Sequence, residues 1–242
     1  LDAAARADFC AFLKENGMEV SALCGDMGGY GFEREEDNVA RVEKTKAIID
    51  LAVDLGTHIV TTHIGVIPAD DSNPRFGVMQ RALTECGLYA KSKGVTLAIE
   101  TGPEVATTLL HFLEGTKGGV GVNLDPANFV MVSGQDPADA VDLLGKYIVH
   151  THLKDGKKLN SDMTPEQIYH GFAVGGVEAL NACKSFIELP IGEGTVPWDR
   201  YLAALRRVGY DGYLTIEREA GKQPLEDIRG AVGFIRGKVN FD

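Results

Sequence analysis

Four acidic or imidazole residues each follow a short aliphatic run, and their types suit the binding of a divalent cation. They are Glu100, Asp125, His152 and Glu217. Burying an ionised carboxylate costs about several kcal/mol unless it has a partner, so a convergence of these groups requires a cation. Three carboxylates and one imidazole suit Mn²⁺, Co²⁺, Mg²⁺ or Zn²⁺. We therefore expect one divalent metal ion, with Mn²⁺ as the first choice.

Each of these residues also has an ordinary structural interpretation. An acid at the end of a strand often caps the following helix or joins a salt bridge, and a single histidine can be a packed residue. The combination favours ligands over these alternatives. His150 is interpreted as a neighbouring donor or packed residue, whereas His58, His111 and His170 are interpreted as structural or solvated.

The elements that would position the four residues repeat along the chain. Each repeat has an amphipathic stretch, a glycine and then a short β-branched or aliphatic run that ends on a polar residue, which is typical of a βα unit. Six such strands are predicted, at residues 18–23, 58–63, 95–100, 120–125, 147–152 and 212–217.

Strands that alternate with helices at this spacing predict a parallel sheet, and the repetition favours a (β/α)8 TIM barrel in a single domain, residues 1–242. A complete barrel has eight strands, so either the N-terminal strands are absent from this chain or two strands lack a clear pattern. Residues 161–183 are predicted to be a helical insertion, with a mobile break at 171–176. The chain has no glycine-rich nucleotide-binding motif.

The active face of such a barrel lies at the carboxyl ends of its strands. Because side chains alternate along a strand, an inward Asp125 implies an inward Asn123, and an inward His152 implies an inward His150. Leu124 and Thr151 would then face the outer helices. We expect a second polar layer beneath the first.

Composition and charge argue against other functional classes. The formal charge is −11, and the acids are spread along the chain, which disfavours binding to nucleic acid. No apolar run has the length of a membrane span, and the four cysteines have no metal or redox spacing. We expect a cytoplasmic protein with reduced thiols that does not bind membranes. A homo-oligomer is compatible with the sequence.

A set of short motifs resembles the xylose isomerase-like sugar phosphate isomerase/epimerase superfamily from about residue 18 to the C-terminus. The motifs occur at residues 99–101, 123–128, 152–155, 192–194 with Trp198, and 216–217. The resemblance implies that two barrel strands precede Leu1. The resemblance is greatest to the ketose 3-epimerases. The chain departs from their pattern at Asn128, where they often have histidine. It also has no firm match to an arginine that follows their metal-binding histidine.

The resemblance implies that Glu100, Asp125, His152 and Glu217 hold the metal and that the two glutamates exchange the proton. The activity implied is isomerisation or epimerisation of a sugar or sugar phosphate through a metal-stabilised enediolate. Contacts with a small sugar or polyol substrate are expected from the following residues: His63, Asn128, Lys154 and Glu193.

Three alternatives remain open at this stage. A dehydratase or a keto-acid isomerase of the same superfamily would remove the same type of proton. A non-catalytic sugar-binding module would keep the barrel without the chemistry, and the intact set of four residues argues against it. An endonuclease would need more ligands and a basic DNA-binding face.

Overall fold

The computed structural model describes residues 2–159, 162–182 and 184–240. Its main sheet is curled and parallel, and its six strands among these residues lie side by side in chain order. The strands are β1 Leu23–Cys24, β2 Ile59–Thr62, β3 Thr96–Glu100, β4 Val120–Leu124, β5 Ile148–Leu153 and β8 Leu214–Ile216. With its outer helices, the sheet forms a partial (β/α) barrel, as predicted from the repeats.

Most of the helices lie between successive strands, as βα units require, while the first precedes β1 and the last follows β8. They are α1 Ala3–Glu15, α2 Glu35–Asp54, α3 Pro74–Ser92, α4 Ala106–Glu114, α5 Pro126–Asn128, α6 Pro137–Leu144, α7 Pro165–Ala182, α8 Trp198–Arg207 and α9 Pro224–Arg236. A π-helical turn, Phe129–Ser133, follows α5, and a 3-10 turn, Gly145–Tyr147, precedes β5.

Local sequence signals determine where several helices begin and end. Asn73 and Asp136 accept hydrogen bonds at the starts of α3 and α6, and each is followed by a proline, which suits the first helical position. After α3, Gly94 has a φ of +71°, a conformation that glycine adopts without strain. This turn directs the chain into β3.

The hydrophobic core lies between the sheet and the helices. Leu97 and Ile99 of β3 and Val122 of β4 are fully buried there. On the outer side of β5, Thr151 contacts the hydroxyl of Tyr201, which belongs to α8. The predicted alternation of side chains is thus followed in β5.

Two short strands were not predicted from the sequence. Residues Asp155–Lys158 form β6, which pairs antiparallel with β7, Phe186–Leu189. The first predicted strand is also much shorter than residues 18–23, since pairing begins only at Leu23. Because β6 has the sequence Asp-Gly-Lys-Lys, it lacks the β-branched residues that mark a strand.

The stretch predicted as a helical insertion contains α7. Gly176 interrupts this helix with φ +54° and ψ −144°. Ser161 and Cys183, at the limits of the predicted insertion, lie outside the described residues. The insertion itself and its mobile break remain predictions.

Two further expectations from the sequence concern membrane-spanning helices and the state of the cysteines. No helix among the described residues combines the length and the apolar character needed to cross a membrane. Cys10, Cys24 and Cys86 are free thiols, whereas Cys183 is outside the described part of the chain.

Candidate metal centre

The four residues predicted as metal ligands meet at the carboxyl ends of four sheet strands. Glu100 is the last residue of β3, and His152 lies near the end of β5. Asp125 and Glu217 directly follow β4 and β8. Because these strands are parallel and are neighbours within the sheet, their ends lie at the same edge.

One ligand atom from each of the four residues lies within 4.8 Å of those of the other three. The Nδ1 atom of His152 is central, at 3.3 Å from Glu217 Oε2, 3.4 Å from Asp125 Oδ2 and 3.6 Å from Glu100 Oε1. Glu100, Asp125 and His152 are buried, and Glu217 is partly exposed. The sequence prediction that these side chains converge agrees with this geometry.

Asp125 combines the two roles that the sequence left open. Its Oδ1 accepts a hydrogen bond of 2.9 Å from the backbone N–H of Asn128 and caps the short helix α5. Its Oδ2 faces His152. Capping therefore holds the carboxylate in one orientation and leaves its second oxygen directed at the cluster.

A second polar layer lies beneath the cluster, as the strand alternation predicts. His150 Nδ1 is 2.9 Å from Asn123 Oδ1, and its Nε2 is 2.9 Å from the hydroxyl of Thr215. Asn123 Nδ2 donates to Glu100 Oε2 at 3.3 Å and lies 3.2 Å from His152 Nε2. This layer therefore orients two of the four side chains.

The protonation states of the cluster follow from burial and mutual charge. Burial alone would lower the pKa of His152, but hydrogen bonds to Asp125 and Glu217 and the charge of Glu100 raise it to about 11. Burial also lowers the pKa of His150, to about 4. In the protein without metal, His152 therefore carries a proton that compensates the carboxylates, while His150 is neutral.

The two glutamates have opposite electrostatic environments. Burial raises the pKa of Glu100, against the opposing effect of the His63 and His152 charges. Burial would also raise the pKa of Glu217, but contacts with His152 and Lys154 hold it below its ordinary value. Opposed shifts in neighbouring carboxyl groups are typical of sites where one group holds a proton and the other stays ionised.

The donor set fits a divalent cation. Three carboxylates and one imidazole each direct one ligand atom into a largely buried cluster, and these atoms lie within 4.8 Å of one another. Hard oxygen donors with a single nitrogen suit Mn²⁺, Mg²⁺, Co²⁺ or Zn²⁺.

Lys154 is a buried cation at the border of the cluster. Its Nζ donates to Glu217 Oε2 at 2.8 Å, also contacts Glu219, and lies 4.0 Å from Asp125 Oδ2. Burial would lower the pKa of Lys154, but the charges of these three acids raise it well above its ordinary value. The ammonium group therefore stays charged beside the candidate metal site.

The structure places two other predicted substrate contacts beside the cluster. The His63 ring lies 3.7 Å from Glu100 Oε1 through Nε2 and 3.3 Å from Asp26 Oδ2 through Nδ1. Desolvation would lower the pKa of His63, but the charges of Glu100 and Asp26 raise it to about 9. Asn128 Nδ2 donates to the carbonyl of Thr101 at 2.9 Å and lies 3.5 Å from Glu100 Oε1.

Glu193 is not brought into this group. It is exposed, and it is absent from the lining of the cavity next to the cluster. Its neighbours belong to a loop that Asp155 holds through backbone N–H groups of Gly192 and Gly194. A contact between Glu193 and substrate remains a prediction.

A cavity of about 390 Å³ opens next to the cluster. Its lining includes His63, Asn128 and Lys154, which were predicted from the sequence as substrate contacts. The lining also contains residues that the sequence analysis did not select, among them Asp26, Glu33, Tyr169, His170, Glu188 and Glu219. Asp26 could have been found by the rule of strand ends, because it follows Cys24 by two residues.

Helix α7 forms the outer wall of this cavity. His170 Nε2 is 3.0 Å from Glu33 Oε2, and Arg75 bridges Glu33 and Glu166 at 3.2 and 2.7 Å. The Tyr169 ring packs 6.3 Å from that of His63. His170 was interpreted as structural or solvated, and it pairs with Glu33 at the edge of the cavity.

Comparisons with known proteins agree with this architecture. A family model described as xylose isomerase-like TIM barrel matches residues 1–238. No curated protein matches the chain in sequence.

Several solved structures have a similar fold. A xylose isomerase domain protein from Planctomyces limnophilus is 26% identical, with a TM-score of 0.80 over 98% of this chain and 82% of that one. A xylose isomerase-like TIM barrel protein from Mycobacterium smegmatis, in complex with magnesium, is 16% identical (TM-score 0.71; 98% and 78% covered). The 3-keto-D-glucoside 4-epimerase YcjR from E. coli is 15% identical (TM-score 0.72; 97% and 85% covered).

Proposed function

The chain belongs to the xylose isomerase-like TIM barrel family, and from this premise we propose that it is a metal-dependent isomerase or epimerase of a sugar. The observation that carries the proposal is the convergence of Glu100, Asp125, His152 and Glu217 within 4.8 Å at the edge of the sheet. The neighbouring cavity provides room for a small-molecule substrate beside these residues.

Glu100, Asp125, His152 and Glu217 would hold one divalent ion. When bound, the ion would supply the positive charge that polarises a carbonyl and an adjacent hydroxyl of the substrate. Mn²⁺ is the ion we propose first, since the site offers three carboxylates and one imidazole.

The proton transfer is assigned to Glu100 and Glu217. An ionised glutamate would take the proton from the carbon next to the substrate carbonyl, and the electron pair left on carbon would delocalise toward the carbonyl oxygen. Epimerisation requires that the second glutamate return a proton to the opposite face. Without metal, the pKa of Glu100 is raised and that of Glu217 is lowered, so the two glutamates already differ in the metal-free site.

The remaining groups bind and orient the substrate. Lys154 has three N–H donors, of which Glu217 and Glu219 occupy two among the described contacts, so a third can donate to a substrate oxygen. His63, held by Asp26, presents its other ring nitrogen toward Glu100 at the cavity wall. Asn128 directs its amide toward Glu100 and restrains that carboxylate.

Metal analysis and isotope exchange test this function together. The purified protein is expected to bind one equivalent of Mn²⁺ and, in D₂O with a panel of ketoses, to introduce deuterium at the carbon next to the carbonyl. Glu217→Gln and His152→Ala should lose metal and exchange, whereas Glu114→Gln, at an exposed residue of α4 outside the cavity, should retain both. Stoichiometric metal binding by both site variants would refute the assignment of the ligands.

A further inference from the structure

The cavity beside the metal centre has two chemically different walls. One wall carries the acids and imidazoles at the strand ends. A second part of the lining is apolar and comes from α7, β7, the π-helical turn and the loop after β2, where α7 also contributes Tyr169 and His170 and β7 contributes Glu188. Its apolar residues are Val66, Met131, Val132, Phe172, Ala173 and Phe186.

The charged groups of the lining are unfavourable for an anionic ligand. Five acids face the cavity, namely Asp26, Glu33, Glu100, Glu188 and Glu219. The basic residues among the described lining are His63, Lys154 and His170.

Each of these basic residues already has acidic partners. His63 lies against Asp26, Lys154 pairs with Glu219 and Glu217, and His170 pairs with Glu33. A phosphate group is bound through charge-assisted hydrogen bonds from available cations. Glu33 and Glu188 are themselves paired with Arg75 and Arg218, so what disfavours a phosphate in the described lining is that each lining cation is already engaged by a carboxylate.

A glycine-rich segment in the lining does not change this conclusion. Residues 28–31 could present backbone N–H groups to an anion, but the N–H of Gly28 donates to Asp26 Oδ1 at 2.8 Å. Gly31 packs directly against the backbone of Ile64, since a Cβ there would lie 2.1 Å from the Ile64 carbonyl carbon. Asp26 and Glu33 also flank the segment with negative charge.

From the two walls together we infer that the ligand is an uncharged, unphosphorylated molecule in two parts. A hydroxy-carbonyl head lies at the metal centre, and an apolar or aromatic substituent lies against α7. This inference rests on the proposed function, because the metal centre selects the head. Burial of the substituent against the apolar wall releases water from both surfaces, and this release favours binding.

Phe172 is the residue of α7 on which this selectivity depends most. Its ring packs 6.1 Å from that of Phe186 and 5.9 Å from that of Tyr169, so it joins the apolar wall into one surface. It is partly buried and lines the cavity. Val174 lies two positions further along the same helix and is 77% exposed, which makes it a matched control.

Three small hydroxyketones with the same head test the inference. They are dihydroxyacetone, 1-hydroxy-3-phenoxypropan-2-one and dihydroxyacetone phosphate, and their binding to the Mn²⁺-loaded protein is measured by calorimetry. We expect the phenoxy compound to bind about tenfold or more tightly than dihydroxyacetone, from the burial of its ring. The phosphate is expected to bind no more tightly than dihydroxyacetone.

The variants assign the preference to α7. Phe172→Ala should reduce the tenfold preference for the phenoxy compound to near one, while affinity for dihydroxyacetone and the metal content stay unchanged. Phe172→Leu keeps most of the side-chain volume and should retain part of the preference for the phenoxy compound. This variant distinguishes the loss of the aromatic ring from a folding defect. Val174→Ala should behave like the unaltered protein.

The outcomes separate this inference from the proposed function. If metal binds and dihydroxyacetone exchanges deuterium, but the phosphate binds as tightly as the phenoxy compound or Phe172→Ala retains the preference, only the two-part ligand is refuted. If no metal binds, the proposed function fails whatever the order of the three ligands. If none of the three ligands binds to the metal-loaded protein, the two-part ligand is refuted as well.

Discussion

The indole Nε1 of Trp198 donates a hydrogen bond of 2.9 Å to Oδ2 of Asp155, and both side chains are buried. The same carboxylate accepts backbone hydrogen bonds from several residues of the loop between β7 and α8. Their N–H groups belong to Gly192, Gly194 and Val196. Asp155 follows Lys154 directly, so this network positions the loop and the lysine beside the metal centre.

Replacement of Asp155 by alanine should destabilise the protein by about 3 kcal/mol or more, because several buried N–H groups lose their acceptor at once. Trp198 is the only tryptophan in the chain, so its fluorescence reports on this loop alone. We expect a red shift of the emission and a lower denaturation midpoint. Asp199→Ala, at an exposed neighbour, is the control and should change stability by less than about 0.5 kcal/mol. An unshifted emission in Asp155→Ala would contradict the network.

The position of the metal cluster was predictable because it depends on a general property of parallel sheets. The carboxyl ends of parallel strands meet at one edge, so a polar residue that ends each aliphatic run must lie near the others. Glu100, Asp125, His152 and Glu217 satisfy this condition. The layer of Asn123 beneath them follows from the alternation along a strand.

The surroundings of the cluster were not predictable in the same way, because they depend on contacts between distant segments. Lys154 pairs with Glu219, which lies 65 positions away along the chain. The network of Asp155 extends to residues 37 to 43 positions away. Asp26 was missed because the first strand was predicted to end at Leu23, so the polar residue after it was not considered.

Lys154 is expected to oppose metal binding, since its ammonium lies within 4.0 Å of two of the proposed ligands. Replacement by methionine removes the repulsion between this charge and the cation, at the cost of the pairing with Glu217. We expect Lys154→Met to bind Mn²⁺ about tenfold or more tightly and to lose most of the deuterium exchange. Titration of the metal-free protein with Mn²⁺ measures the affinity.

Lys158→Met provides the matched control for this change, because Lys158 lies on β6 and is exposed. Its affinity for Mn²⁺ should differ little from that of the unaltered protein. Weaker binding of Mn²⁺ by Lys154→Met would show that the lysine supports the metal site instead of opposing it.

Metal binding should depend on pH through His152. The pKa of this residue is raised to about 11 without metal, so it is protonated at pH 6 to 8, whereas a metal ligand must be the neutral imidazole. Each bound ion therefore displaces a proton, and affinity should rise about tenfold per pH unit over this range. Calorimetry in buffers of different ionisation enthalpy measures the proton release.

His111→Gln is a suitable control for the proton release, since His111 is exposed on α4 and pairs with Asp71. It should leave the release unchanged. An affinity for Mn²⁺ that stays constant from pH 6 to 8 would contradict the protonated state of His152.

Glu104 provides a prediction about stability that is independent of metal. Burial raises the pKa of this glutamate to about 7, against the opposing effect of hydrogen bonds from backbone N–H groups. The folded-state pKa of Glu104 lies above its unfolded value. The contribution of the protonated Glu104 to the stability of the folded protein is therefore fully present below about pH 4.5. It is lost as the pH rises through about 7, so the folded protein should become less stable over this interval.

Glutamine at position 104 remains neutral and can still accept hydrogen bonds from the backbone. Glu104→Gln should therefore match the unaltered protein at pH 4.5 and exceed it at pH 8.5 by at most on the order of 3 kcal/mol. Urea denaturation at the two pH values measures the difference. Glu114→Gln, at an exposed position of α4, should show no such dependence on pH. Equal stabilities of Glu104→Gln and the unaltered protein at pH 8.5 would mean that the buried glutamate is ionised without cost, and would place its folded-state pKa close to 4.5.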